Sequence, residues 1–116
     1  LRGLLKDAVD RGVPNEIISV PVELFDIDTS YQIEARTDRS LNYLVSNWDD
    51  NKLQPVQGVP HWEEGKIYLF DGYGRWIASQ MILNPKKDLR VMVILNAPQE
   101  PKARRKYEAG MLRLQK

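Results

Sequence analysis

A run of strand-forming residues, Ile67, Tyr68, Leu69 and Phe70, ends in Asp71 and Gly72 and then gives way to a helical repeat. Aromatic and β-branched side chains favour a pleated surface, Gly72 and Gly74 permit a sharp turn, and Ile77, Ala78, Met81 and Ile82 recur at helical spacing. The segment therefore predicts a strand that delivers a polar loop onto a helix N-terminus. Unpaired backbone N–H groups and the helix dipole favour an anion at such a place, and the guanidinium of Arg75 can grip two oxygens at once. Phosphate is the ligand this arrangement suggests. An Asp-Gly step after a strand is equally an ordinary hairpin or helix-entry signal, with Asp71 as a cap on the helix that follows.

Around this motif the chain reads as α+β. Leu1, Leu4, Leu5, Ala8 and Val9 lie on one helical stripe, stopped by Gly12 and Pro14. Residues 17–22 predict a short strand, 23–30 a compact turn, and 31–36 an ordered loop. Leu41, Leu44, Val45 and Trp48 repeat at i, i+3, i+4 and i+7, so 38–49 is expected to be an amphipathic helix with Trp48 in the core. Leu53-Gln54-Pro55-Val56 leads into a strand through Val59, and Glu63-Glu64-Gly65 is a hairpin turn, so this strand and the one ending at Asp71 should pair antiparallel. After a break at Asn84-Pro85-Lys86-Lys87, Leu89 and 91–95 form a nearly continuous apolar strand, expected to be central. Pro98 and Pro101 introduce a last helix with Tyr107, Met111 and Leu114 on its apolar side. The expected architecture is a small mixed sheet of about four strands flanked by helices. One domain is expected over residues 1–116, its core at about 17–95, with an N-terminal helix at 1–12 and a basic helix at 101–116.

Composition removes several chemistries. There is no cysteine, hence no disulfide, thiolate ligand or cysteine nucleophile, and the single histidine, His61, cannot form a histidine metal cluster. No metal ligands are assigned. No apolar run approaches a membrane span, which makes a soluble, cytoplasmic protein the expectation. A start at Leu1 rather than methionine reads as a piece of a longer chain. The 17 Lys and Arg against 16 Asp and Glu give no global attraction to nucleic acid. Local attraction is confined to the last helix, where Lys102, Arg104, Arg105 and Lys106, with Arg113 and Lys116, face one acid, Glu108. These are the candidate contacts to a nucleic-acid backbone, against the plainer reading of a solvated helix face.

Gln32 and Arg36 before the second helix, the Leu53-Gln54-Pro55-Val56 step, and Asp71-Gly72-Tyr73-Gly74-Arg75 followed by Ala78 occur in an order that resembles the ParB N-terminal domain, which shares its fold with sulfiredoxin. The resemblance covers roughly residues 17–95. It implies a small α+β domain whose arginine-bearing loop binds nucleotide phosphates, CTP in ParB and ATP in sulfiredoxin, with magnesium, and which is often attached to DNA-binding segments. Gln32, Arg36, Gly72, Tyr73, Gly74 and Arg75 are the nucleotide-binding candidates on this basis. Partners would be a nucleotide or DNA, with a homodimer left open. Two departures stand out. Tyr73 occupies the place of the sulfiredoxin cysteine, which excludes sulfinic acid reduction. ParB also carries an acid and a further arginine where this chain has Tyr73 and Gly74, so the grip of this chain has one arginine instead of two. Proteins of this fold are often labelled nucleases. An enzymatic alternative, nuclease or nucleotide hydrolase, would use Asp71 with a divalent ion, with Asp26, Asp28 or Glu34 approaching across the sheet ends. A further alternative is a protein-interaction domain in which the loop is vestigial.

Overall fold

In a computed structural model that describes residues 1–28 and 38–114, hydrophobic side chains are sorted onto the two faces of a five-stranded sheet. The elements are α1 (Arg2–Arg11), β1 (Asn15–Pro21), a 3₁₀ turn at Val22–Leu24, β2 (Phe25–Asp26), α2 (Asp38–Ser46), β3 (Val56–His61), β4 (Lys66–Asp71), α3 (Tyr73–Ser79), β5 (Asp88–Ile94) and α4 (Pro101–Leu114). The strand order is β1-β5-β3-β4-β2. Outer pair β1–β5 and hairpin β3–β4 are antiparallel; β3–β5 and β2–β4 are parallel.

Alternation along the strands builds two cores. Leu5, Val20, Phe25, Val56, Ile67, Leu69, Val91 and Val93 form one, against which Leu1, just before α1, and Trp76 of α3 pack. Val59, Phe70, Ile94 and Ala97 form the other, against which Met92 and the α4 residues Tyr107, Met111 and Leu112 pack. Glu100 caps α4, its carboxylate accepting from the N–H groups of Lys102 and Ala103, with Pro101 at the first helical position.

The class and the antiparallel hairpin are as expected, with Gly65 at φ 67° in its turn. Four particulars differ. A fifth strand exists because β2 pairs over only two residues, too few for any periodicity to show. β5 is second from the edge and β3 is central, since apolar residues on both faces require a neighbour on each side and not the middle position. α2 ends at Ser46, and Trp48 belongs to neither core; its indole N–H donates to Asp50 at 2.9 Å. On α4, Leu114 is 76% exposed and Leu112 packs on the sheet instead. None of the described helices is long and apolar enough to cross a membrane.

Candidate functional site

The loop after β4 is a place where three segments of chain are tied together by one guanidinium. Gly72 takes φ 93° and stands at the N-cap of α3 with no side-chain capping bond, so Asp71 is not the cap. A Cβ on Gly72 would collide with the Val56 side chain, which lies against it at the start of β3. Glycine is thus required both for backbone conformation and for space. One turn into α3, Arg75 reaches back. Its Nη2 donates to Asp71 Oδ2 at 3.1 Å, and its Nη1 donates to the carbonyls of Gln54 at 2.6 Å and Pro55 at 3.3 Å. The Arg75 side chain is only 16% exposed. Asp71 therefore orients Arg75, and Arg75 fastens the segment entering β3 to the end of β4.

This loop unites Asp71, Gly72, Tyr73, Gly74 and Arg75, while Gln32 and Arg36, like Glu34, lie outside the described residues. Gly74 is buried, and Tyr73 packs toward Trp76 with ring centroids 6.0 Å apart. The Trp76 indole N–H in turn donates to the Val22 carbonyl at 3.2 Å. No set of three His, Cys, Asp or Glu that could hold a metal occurs among the described residues. Asp26, expected as a possible partner of Asp71, is instead 3.5 Å from Lys66 and accepts from the Ile27 N–H. Magnesium held with a nucleotide wants one or two carboxylates beside the phosphates, and the loop offers Asp71 alone, already bound to Arg75. The described residues do not by themselves make up a metal-dependent hydrolytic centre.

The basic candidates divide. Lys102, Arg105 and Lys106 are on the exposed side of α4, which packs on the sheet face opposite α3. Arg104 is turned inward, 6% exposed, and does not share that face. It pairs with both carboxylate oxygens of Glu63, and its Nε lies 3.8 Å from Glu108. Glu108 accepts from His61 Nε2 at 2.9 Å, and the His61 ring stacks on Tyr68 at 3.8 Å between centroids. His61, Tyr68, Arg104 and Glu108 are on the wall of a cavity of about 330 Å³. Charge counting along the sequence missed this cluster. A signal was available: 104 and 108 fall on the same helical stripe as Tyr107 and Met111, so one buried face had to carry both ionic residues.

The Arg104 guanidinium draws the Glu63 carboxyl down from 4.5 to about 2. Its folded value is depressed, so the stability it contributes is present above about pH 4.5 and disappears as pH falls toward 2. Because Glu63 is largely exposed, solvent screening keeps the effect small. Acid titration of Glu63→Gln should show a flatter stability profile across that window and no change in pH dependence above it.

A mixed sheet of this order, with an Asp-Gly-x-x-Arg loop leading from an interior strand into a short helix, is a ParB-like fold. The structure is similar to the crystal structure of the C-terminally truncated chromosome-partitioning protein ParB from Caulobacter crescentus complexed with CTP-γ-S, with a TM-score of 0.61 and 19% identity. The match covers 87% of this chain and 54% of the ParB chain, so this chain spans about half of that protein's length. No protein-family model matches the sequence, and no curated protein matches it.

Proposed function

We propose that the chain is a ParB-like module that binds a nucleotide, receiving its phosphates at the 71–75 loop. The observation that carries this reading is the fold held in common with a ParB complexed with a CTP analogue. The Arg75 guanidinium at the end of β4 supports it. Two carbonyls engage Nη1 and Asp71 engages Nη2, so the edge left for phosphate is Nε with the remaining N–H of Nη2. Such a grip is one-sided, and CTP and ATP are both candidates for it.

Calorimetric titration with CTP and with ATP, each with magnesium, tests the proposal. Micromolar binding is expected, and Arg75→Lys should bind at least about tenfold more weakly, the equivalent of roughly 1.4 kcal/mol from a lost charge-assisted hydrogen bond. Arg75→Ala should also lower stability by about 2 kcal/mol, because the carbonyls of Gln54 and Pro55 lose their donor. Each variant is therefore titrated well below its melting temperature. No heat with either nucleotide in the unsubstituted protein refutes the proposal. A second reading, contact with a nucleic-acid backbone, is favoured by the exposed Lys102, Arg105 and Lys106, and would show as binding that falls steeply with salt.

A further inference from the structure

We propose that the outer edge of the sheet is a self-association surface, on which β1 pairs antiparallel with β1 of a second copy of this chain about a two-fold axis at Ile17. β1 is hydrogen-bonded on one side only, to β5, and no strand lies along its other side among the described residues. The bonds at the two ends of that pairing fix which backbone groups are left over. The Leu95 N–H donates to the Pro14 carbonyl at 2.8 Å, and the Val22 N–H donates to the Lys87 carbonyl at 2.9 Å. Even-numbered residues of β1 therefore turn their backbone groups toward β5, while Asn15, Ile17 and Ser19 turn theirs outward.

An open edge of this kind is normally blunted by lysine, proline or a bulge. Between residues 15 and 19, β1 carries none of these. Its one charge there, Glu16, is engaged by Arg11 at 3.1 Å, and Ile17 is 53% exposed. A second copy suits this row because the row is complementary to itself. With the axis at Ile17, the two Ile17 residues exchange both N–H···O bonds, and Asn15 of each copy does the same with Ser19 of the other. Every outward donor and acceptor from 15 to 19 is then paired. Moving the axis to residue 18 sets Asn15 opposite Pro21, which has no N–H to give its carbonyl. Moving it to residue 16 sets Ser19 opposite Val13, whose N–H already donates to the Ala8 carbonyl at 3.4 Å.

The side chains agree with this register. Ile17 is level with Met92 on the α4 side of the sheet, so pairing would set Met92 and Ile17 of one copy in a continuous apolar row with Ile17 and Met92 of the other. On the opposite face Glu16 meets Ile18 of the second copy and not a second Glu16. The 71–75 loop follows β4, three strands inward from the edge in each copy, and is left clear of the contact. Association and ligand binding are therefore separate properties.

Pairing over residues 15–19 makes a small interface, below the roughly 1,000 Å² of a stable complex, so a dissociation constant of about 100 µM is expected. Sedimentation equilibrium from about 20 µM to about 1 mM should show the mass rising from 13.5 kDa toward twice that value. Ile17→Lys sets two like charges directly opposite each other and should raise the dissociation constant at least about tenfold, with little change in the denaturant midpoint because the side chain is exposed. Amide hydrogen exchange on the unsubstituted protein reads the contact without any variant. The Ile17 and Ser19 N–H groups should exchange about fourfold more slowly at the higher concentration, and the Ile18 N–H, already bonded to β5, should be protected at both. A monomer at every concentration overturns the pairing and leaves the edge to an extended segment of another protein. Association that survives Ile17→Lys, or that leaves exchange at Ile17 and Ser19 unchanged, puts the contact elsewhere and overturns it as well.

Discussion

Gly72→Ala is expected to destabilise the fold by about 4 kcal/mol, the sum of a strained backbone and a steric collision, each costing roughly 1–3 kcal/mol. The first part follows from φ 93°, a left-handed conformation that a side chain penalises. The second follows from Val56, whose side chain the new methyl would enter. Val56 cannot yield, because it is fully buried in the main core at the start of β3, level with Val91. The Arg75 Nη2 atom, 3.0 Å from the position of that methyl, would be displaced as well, so the loop would lose geometry along with stability. Gly65 supplies the control. It also has positive φ, 67°, but nothing lies within 4 Å of its virtual Cβ, so Gly65→Ala should lose only the conformational part, about 1 kcal/mol. Urea denaturation of the two variants measures the difference. Equal losses would mean that Val56 gives way and that the close approach is not a constraint. A loss of 4 kcal/mol is a large share of the roughly 5–15 kcal/mol typical of a domain, and Gly72→Ala would be partly unfolded under mild conditions.

What the sequence disclosed of this molecule was local. The helix after Gly72, the hairpin around Gly65 and the helical run from Leu41 to Val45 are all read from residues adjacent in the chain, where periodicity and turn chemistry act directly. The loop was legible as a loop, and its Asp71–Arg75 pair could be anticipated from the i, i+4 spacing. The carbonyls of Gln54 and Pro55 could not, since they come from a chain segment about 20 residues away and acceptors on the backbone leave no mark in a side-chain pattern. Arg75 was read as a grip for a ligand, whereas in the structure it first holds the protein to itself. Any phosphate it binds must share the guanidinium with three protein oxygens. Trp48 shows the opposite failure. Its place on a hydrophobic stripe suggested burial, but α2 ends at Ser46, so the stripe stops before reaching it and the indole is left beside a cavity. Arg104 was misread for a related reason. Four cations within five residues look like one charged face, yet a helix turns 100° per residue and places Arg104 with Glu108 on the side that meets the sheet.

Glu108 carries the other large effect: Glu108→Ala should cost about 3 kcal/mol, the upper end of the range for leaving a buried donor without its acceptor. Glu108 is 4% exposed and His61 6%, and their bond joins α4 to the last residue of β3 across 47 positions of sequence. A carboxylate only accepts, so the imidazole proton is on Nε2, and removing Glu108 takes away the protein acceptor of that N–H. Arg104 is less affected because Glu63 retains it from the other side. Glu108→Gln keeps an acceptor for His61 while giving up only the charge 3.8 Å from Arg104, and should cost less than half as much. The double variant His61→Leu with Glu108→Leu separates the remaining explanations. Replacing both members with apolar groups restores packing without an orphaned donor, so its stability should return to within about 1 kcal/mol of the original. Denaturant midpoints for the three proteins give the result. If the double variant is as unstable as Glu108→Ala, the pair contributes through shape that leucine cannot reproduce, and the argument from an unsatisfied imidazole fails. Recovery in the double variant would show instead that α4 is held by apolar contact through Tyr107, Met111 and Leu112, with the His61–Glu108 hydrogen bond fixing which face it presents.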